Sequence, residues 1–364
     1  MSDVPFDTSL HAGPSSEKIA RDRRAIRIWL YAVCLLIFAM IVVGGATRLT
    51  DSGLSITEWE PIHGVIPPLS VAEWEEELEK YRQIPEYQLV NKGMSLAEFQ
   101  FIYWWEWGHR LLGRVIGLAF LVPLVWFWVR GRIEPGLLPW LVGGFALGGM
   151  QGVIGWWMVA SGLVDRIDVS QYRLATHLTL ACLIFAYLYG LARYLALIPA
   201  TLPRRSQASG PYAGAAAAIV ALLFVQIFLG GLVAGLKAGL SFNTWPLMDG
   251  AFIPSGLWTM TPVWLNHFES VLTVQFQHRM TAYALAIAAV WLWVSVMRNP
   301  AARHLAAVAP VLVIVIAVQM VIGIATLLGH VPFWLALAHQ GFIVAVIAAC
   351  IELWARARFA PRPA

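Results

Sequence analysis

Apolar runs about 20 residues long, parted by short polar joints, fill most of the chain. A helix of about 20 residues matches the hydrocarbon thickness of a bilayer. Eight such runs lie near 26–46, 107–129, 136–159, 174–195, 213–236, 272–297, 304–328 and 333–355, and each predicts one membrane span. The polar joints are unequal. Residues 47–105 form a long first loop, in which the charged stretch Val71–Tyr81 is predicted to be helical. Its counterpart, 237–271, is shorter, and 160–173 carries Asp165, Arg166 and Asp168.

The pattern occurs twice. Gly44-Gly45, Gly53-Leu54-Ser55, Trp59, Gly64 and Pro68 recur 186 residues later as Gly230-Gly231, Gly239-Leu240-Ser241, Trp245, Gly250 and Pro254. His109-Arg110 recurs 169 residues later as His278-Arg279, Gln151 and Gly155 recur 168 later as Gln319 and Gly323, and His177 recurs 162 later as His339. The order is kept while the offset drifts, as differing loop lengths require. An internal repeat of this kind predicts parallel units related by an axis along the membrane normal. The expected fold is an all-α membrane protein with eight transmembrane helices in two pseudo-symmetric four-helix bundles. The expected divisions are a tail at 1–25, a first half at 26–198, a linker at 199–211, a second half at 212–356 and a tail at 357–364.

Composition sharpens this picture. Hydrophobic residues make up 59% and charged residues 13%, which excludes an ordinary soluble domain. The net charge of +4 invites a nucleic-acid reading, but the placement of the cations argues against one. Lys18, Arg21, Arg23, Arg24 and Arg27 precede span one; Arg130 and Arg132 follow span two. Arg193, Arg204 and Arg205 follow span four; Arg298 and Arg303 follow span six; Arg356, Arg358 and Arg362 follow span eight. Eight alternating helices put all of these on one side. That is the positive-inside bias, and it places both termini in the cytoplasm. Span one is too long for a cleavable signal and reads as an anchor. Cys34, Cys182 and Cys350 are isolated within spans, with no metal or disulfide spacing, and read as small core residues.

Four histidines carry the candidate chemistry. His109 and His177 fall in spans two and four, and His278 and His339 fall at the matching places in spans six and eight. Ionisable groups in spans are costly and usually functional. Facing helices of a bundle can hold a cofactor between them, and two histidines can ligate one haem iron from both sides. All four stand early in outward-to-inward spans, which predicts sites in the outer third of the bilayer. Glu106 stands three residues before His109, whereas Gln275 stands before His278. A carboxylate on the histidine's own helix face can act as a base or stabilise positive charge. Its neutral counterpart suggests that one of the two sites does chemistry. Glu106→Gln keeps the side-chain size, so packing is expected to survive it. Arg110 and Arg279, and more weakly Arg48 and Arg114, are candidate partners for haem propionates. Trp59 and Trp245 are candidate lids. His63, His267, His304 and His330 lie in loops or at span ends, His63 nearest the first site, and His11 lies in the polar tail.

Three function classes fit these residues. An enzyme acting on a haem would need Glu106. A di-haem b electron-transfer cytochrome linked to quinol would use the same histidines without it. A transporter would sooner show broken helices and carboxylates near the midplane. Composition and spacing leave the first two open.

A family resemblance bears on that choice. Gly44-Gly45-Ala46-Thr47-Arg48-Leu49-Thr50, Gly53-Leu54-Ser55-Ile56, Trp59-Glu60-Pro61-Ile62-His63-Gly64, the stretch from Glu98-Phe99 to Gly113-Arg114, and Phe242-Asn243-Thr244-Trp245-Pro246-Leu247-Met248-Asp249-Gly250 resemble the haem A synthase family over about 26 to 356. The resemblance implies a multi-pass enzyme of the bacterial inner membrane, an oxidoreductase acting on a CH group. Its reaction oxidises a porphyrin methyl group of haem O to a formyl group, giving haem A for cytochrome c oxidase. It implies substrate haem O at His109 and His177, a haem b cofactor with its iron at His278 and His339, and a catalytic role for Glu106. Implied partners are haem O, the haem O synthase that supplies it, an electron acceptor of unknown kind and the lipid bilayer, with a homo-oligomer open and no nucleic acid. Some relatives carry a cysteine pair near the positions of Ile56 and Ile62. This chain has none, so loop thiol chemistry is not carried over.

Overall fold

The computed structural model describes residues 16–59, 63–164, 166–198 and 210–359. The tail before residue 16, Glu60-Pro61-Ile62, Asp165, nearly all of the expected linker and the last five residues lie outside that range.

Eight helices are long and apolar enough to cross a membrane. They are α1 (Ser16–Leu49), α4 (Leu96–Val129), α5 (Leu138–Val159), α6 (Gln171–Leu197), α7 (Ala213–Gly235), α9 (Val271–Arg298), α10 (Ala309–Leu328) and α11 (Phe333–Phe359). Each coincides with one expected span. In lipid a helix satisfies its own backbone, so long apolar runs have no other stable form there. Three short helices lie between them: α2 (Val71–Arg82), α3 (Pro85–Leu89) and α8 (Asn266–Glu269). The expected helix at Val71–Tyr81 is therefore present, capped by Ser70, whose side chain accepts from the Glu73 amide.

Several starts differ: α1 begins ten residues before its expected start and α10 five residues after, and one difference bears on the site. α4 begins at Leu96, eleven residues before the expected start, because Ser95 and Glu98 form a reciprocal capping box. His109 consequently lies almost four turns into its helix rather than in its first turns. His177, His278 and His339 lie within the first two turns of theirs. The extra turns of α4 carry Phe99, Ile102 and Tyr103 into a separate core with Trp74, Leu78, Tyr81, Ile84 and Leu54. The long first loop is thus a folded cap seated on an elongated helix.

Helix contacts repeat in the two halves. α1, α4, α5 and α6 touch in a closed ring, and so do α7, α9, α10 and α11. The rings join through α6 against α7 and α11, and α1 against α11. The apolar windows of α1, α6, α7 and α11 are 39–50% buried, against 11–22% for α4, α5, α9 and α10. The first set is therefore central and the second faces lipid. The two Gly-Gly pairs explain how both contacts are made at once. A Cβ on Gly44 or Gly230 would stand 2.8 Å or 3.1 Å from the imidazole of His109 or His278 in its own half. A Cβ on Gly45 would strike Gln340 at 2.7 Å, and one on Gly231 would strike the Ala175 backbone at 2.6 Å, both across the joint. The first glycine seats a histidine and the second admits the other half, as small residues do wherever membrane helices approach closely.

Candidate bis-histidine sites

In each ring the histidines come from diagonal helices: His109 on α4 and His177 on α6, His278 on α9 and His339 on α11. The members of each pair lie within electrostatic reach of one another. Each imidazole rests on bare backbone of a neighbouring helix. His177 lies 2.9 Å from where a Cβ of Gly155 would stand, and His339 lies 2.6 Å from that of Gly323. Four histidines thus have four glycine cradles.

Glutamines hold three of the four. Gln151 Nε2 donates to the His177 carbonyl at 3.0 Å and lies 3.3 Å from its Nε2. Gln319 Nε2 donates to the His339 carbonyl at 2.9 Å and lies 3.2 Å from its Nδ1. Gln226 Nε2 lies 3.1 Å from Nδ1 of His278. His109 has no such neighbour, and its Nδ1 is buried without a partner, as is Nδ1 of His177.

Glu106 is 3% exposed and fully engaged. One oxygen accepts from Ser55 Oγ and from the Ile56 amide, both at 2.8 Å. The other accepts from Nε and an Nη of Arg110 at 3.1 Å and 2.7 Å. Four donors occupy its two oxygens and leave no lone pair waiting for a proton. The carboxyl group is held in place about one helical turn before His109. Gln275 occupies the same place with opposite polarity. Its amide donates to the carbonyls of Ala238 and Ser241 at 2.7 Å and 2.6 Å, and its oxygen accepts from Arg279 at 2.9 Å. Each loop is built for its own side chain, so Glu106→Gln would turn an amide donor toward the Ile56 N–H. The expectation that packing is indifferent to that change does not hold.

The arginines divide. Arg110 spends its fork on Glu106 and on the carbonyls of Ile56 and Glu58; Arg279 spends its two Nη atoms on Gln275, Phe242 and Thr244, while its Nε is buried without a partner. Both staple loops. Arg48, in the last turn of α1, keeps a buried Nε without a hydrogen-bond partner. Arg114 lines a cavity of about 280 Å³ with Arg110, Tyr103, Glu58, Glu73 and the Pro67-Pro68 loop. Trp59 lies 5.6 Å from the Arg110 guanidinium, and Trp245 donates to Tyr283 of α9 at 2.8 Å. Both tryptophans are nearly half exposed and lie along the outer sides of α4 and α9. His267 stands apart, 3.1 Å from Gln277 and with its ring tilted at 56° to that of Trp258, 5.0 Å away.

The outer cap holds a group that sequence reading passed over. Glu86 is buried, accepts from Tyr81 Oη at 3.1 Å, and is pushed up to about 8. Burial is the main cause, with further upward pressure from Asp51, Asp168 and Glu106. Nothing in the local sequence marks it. The Gln226 contrast could have been found, because the offset of 186 that aligns the Gly-Gly pairs sets Gln226 against Met40.

The described residues contain no cluster of three or more His, Cys, Asp or Glu able to hold a metal ion. Two imidazoles per site do not enclose a bare ion. They suffice for an iron that brings its own four equatorial nitrogens, and each imidazole is seated against a glycine that leaves no side chain in its way. The molecule is of the class of multi-pass membrane proteins with paired histidines fit to hold two haems. More particularly, the chain belongs to the COX15-CtaA family, described as cytochrome oxidase assembly protein, whose pattern matches residues 27–351. It is 56% identical over 335 residues to the Heme A synthase of Mesorhizobium japonicum, covering 92% of this chain and 91% of that protein. It is 54% identical to that of Agrobacterium fabrum over 346 residues and 53% identical to that of a Chelativorans species over 348, each covering 93% of this chain and 92% of the relative.

Proposed function

We propose that this chain is a haem A synthase, a multi-pass bacterial membrane enzyme that oxidises a ring methyl group of haem O to the formyl group of haem A. The observation that carries the reading is the pair of like histidine sites of which only one has a carboxylate. Relatives with the synthase name over nine-tenths of both chains support it. The first half takes the substrate haem O between His109 and His177. The second takes haem b between His278 and His339, and bound there haem b supplies one-electron chemistry. Both termini face the cytoplasm on the charge bias of the loops. A haem O synthase upstream and an electron acceptor are the partners this chemistry calls for.

Glu106 acts as a preorganised negative charge. Arg110, Ser55 and the Ile56 amide hold it in place, so it cannot turn away when positive charge builds on the substrate's methyl carbon. A fixed charge in a dry site pays no reorganisation cost as the reaction proceeds. Proton abstraction is the less favoured role, because both oxygens are already occupied. Arg48 has the buried, unengaged nitrogen suited to a propionate, while Arg110 positions Glu106. The elongated α4 and its cap cover the outer end of the first site.

Pigments extracted from purified protein test the reading. Haem b together with haem O or haem A is expected. Haem b alone would favour the electron-transfer cytochrome, for which Glu106 has no duty.

A further inference from the structure

We infer that Gln226 and Met40 decide which half keeps its haem and which lets it go. The inference rests on the assignment of haem b to the second half and haem O to the first. A synthase needs a resident cofactor in one site and an exchanging substrate in the other, yet both sites use the same two histidines, the same glycine cradles and the same α5 or α10 glutamine. Apart from the Glu106/Gln275 contrast, the repeat and the structure differ at one residue beside the ligands. The Gln226 amide of α7 lies against the His278 imidazole, 3.1 Å from Nδ1 and 3.3 Å from Nε2, and its Oε1 is buried without a partner. A half-turn of the amide gives that oxygen the Nδ1–H of His278. This fixes the tautomer whose Nε2 lone pair is free for iron and raises the basicity of the ligand.

Met40 holds the corresponding place on α1. Its Cε lies 3.5 Å from where a Cβ of Gly113 would stand, one turn beyond His109. A thioether is a weak acceptor and cannot reproduce the amide. His109 is left with a buried Nδ1 and no partner. In the second half both histidines have a glutamine amide within reach of Nδ1; in the first half Gln151 meets only Nε2 of His177, and no glutamine meets His109. Loss of such a partner typically lowers metal affinity about 10- to 100-fold. That suffices to separate a retained group from an exchanging one. Gln226 and Met40 are positioning residues: they act through the imidazoles and touch no reacting atom.

The test uses full-length protein in detergent or nanodiscs, with haem transfer to apomyoglobin as the clock and the haem b midpoint potential as the second readout. Gln226→Met is expected to release haem b about 10- to 100-fold faster and to raise its potential, because a less basic imidazole favours ferric iron less. Gln226→Glu keeps an acceptor and is expected to retain haem b at a lowered potential, which a merely structural residue would not produce. Met40→Gln is expected to slow release of haem from the first half by a similar factor. His278→Ala separates the two levels of the argument. If it leaves haem b in place, the assignment of halves is wrong. If it removes haem b while the potential and release rates are unmoved in all three other variants, the assignment stands and this inference is overturned.

Discussion

The two halves of this protein start from one plan and differ in what surrounds their histidines. In the first, a carboxylate accepts four hydrogen bonds next to His109; in the second, an amide donates two to the loop beside His278. In the first, a thioether stands where the second has a glutamine on its histidine. The first half also carries a folded cap on an elongated helix, and the second a shorter loop. Every one of these differences adds charge or coverage to the first site and ligand support to the second. Duplication supplied two like pairs of histidines, and a few side chains make their surroundings different.

The strongest way to break the comparison is to remove a ligand. His278→Ala and His339→Ala are each expected to abolish haem b in the purified protein, read by the reduced-minus-oxidised spectrum. His109→Ala and His177→Ala are expected to leave haem b and end production of haem A. If all four lost the same pigment, the halves would not be specialised.

Glu106→Gln comes next. Loss of the fixed charge is expected to slow haem A formation about 100- to 1000-fold while haem b stays at full occupancy. The swap also leaves the Ile56 N–H facing a donor, at a cost of about 1–3 kcal/mol. Ser55→Ala is the control for that local effect, since it removes one loop contact and keeps the charge. Equal loss of haem A formation in the two variants would make Glu106 a loop anchor and nothing more.

The glycine cradles give a smaller, graded effect. An alanine methyl at Gly323 would sit 2.6 Å from His339, and one at Gly230 would sit 3.1 Å from His278. Overpacking of this kind typically costs about 1–3 kcal/mol. Gly323→Ala is therefore expected to lower haem b occupancy more than Gly230→Ala. Gly44→Ala, at 2.8 Å from His109, is expected to spare haem b and weaken haem O binding. Haem b loss in Gly44→Ala at the level of Gly323→Ala would show that the sites are not independent.

The smallest effect concerns the cap, which only the first half has. The carboxyl of Glu86 is raised from 4.5 to about 8, so the folded cap binds that proton more tightly than the unfolded chain. Its contribution is present in full below the ordinary carboxylate range and is lost as pH rises through about 8. Proteolysis within residues 63–95 is expected to quicken between pH 7 and 9, and Glu86→Gln is expected to flatten that dependence. The loops of the second half serve as the internal reference, and parallel acceleration there would remove the claim.

Much of this was legible in the residues. Eight spans follow from runs of apolar side chains, because a backbone in hydrocarbon has no partner but itself. The duplication follows from residues repeated in order, and it picked out the four histidines and the Glu106/Gln275 contrast before any coordinates. The cap helix was legible at Val71–Tyr81 from its charge, and the structure adds its Ser70 cap and ends it at Arg82. These are local or one-dimensional properties, and a sequence records them directly.

Tertiary structure decided the rest. Whether a carboxylate is a poised base or a pinned anion depends on donors 50 residues away, at Ser55 and Ile56. Whether Arg110 meets a propionate or staples a loop depends on where the carbonyls of Ile56 and Glu58 come to lie. The extra turns of α4 depend on a capping box that outlasts the end of the apolar run, and Glu86 depends on a cap closing over it. Hydrogen bonds are directional and short-ranged, so the role of a polar side chain is set by the few atoms around it. Hydrophobic patterning marks which residues leave water, while only the folded chain chooses the partners a buried polar group will meet.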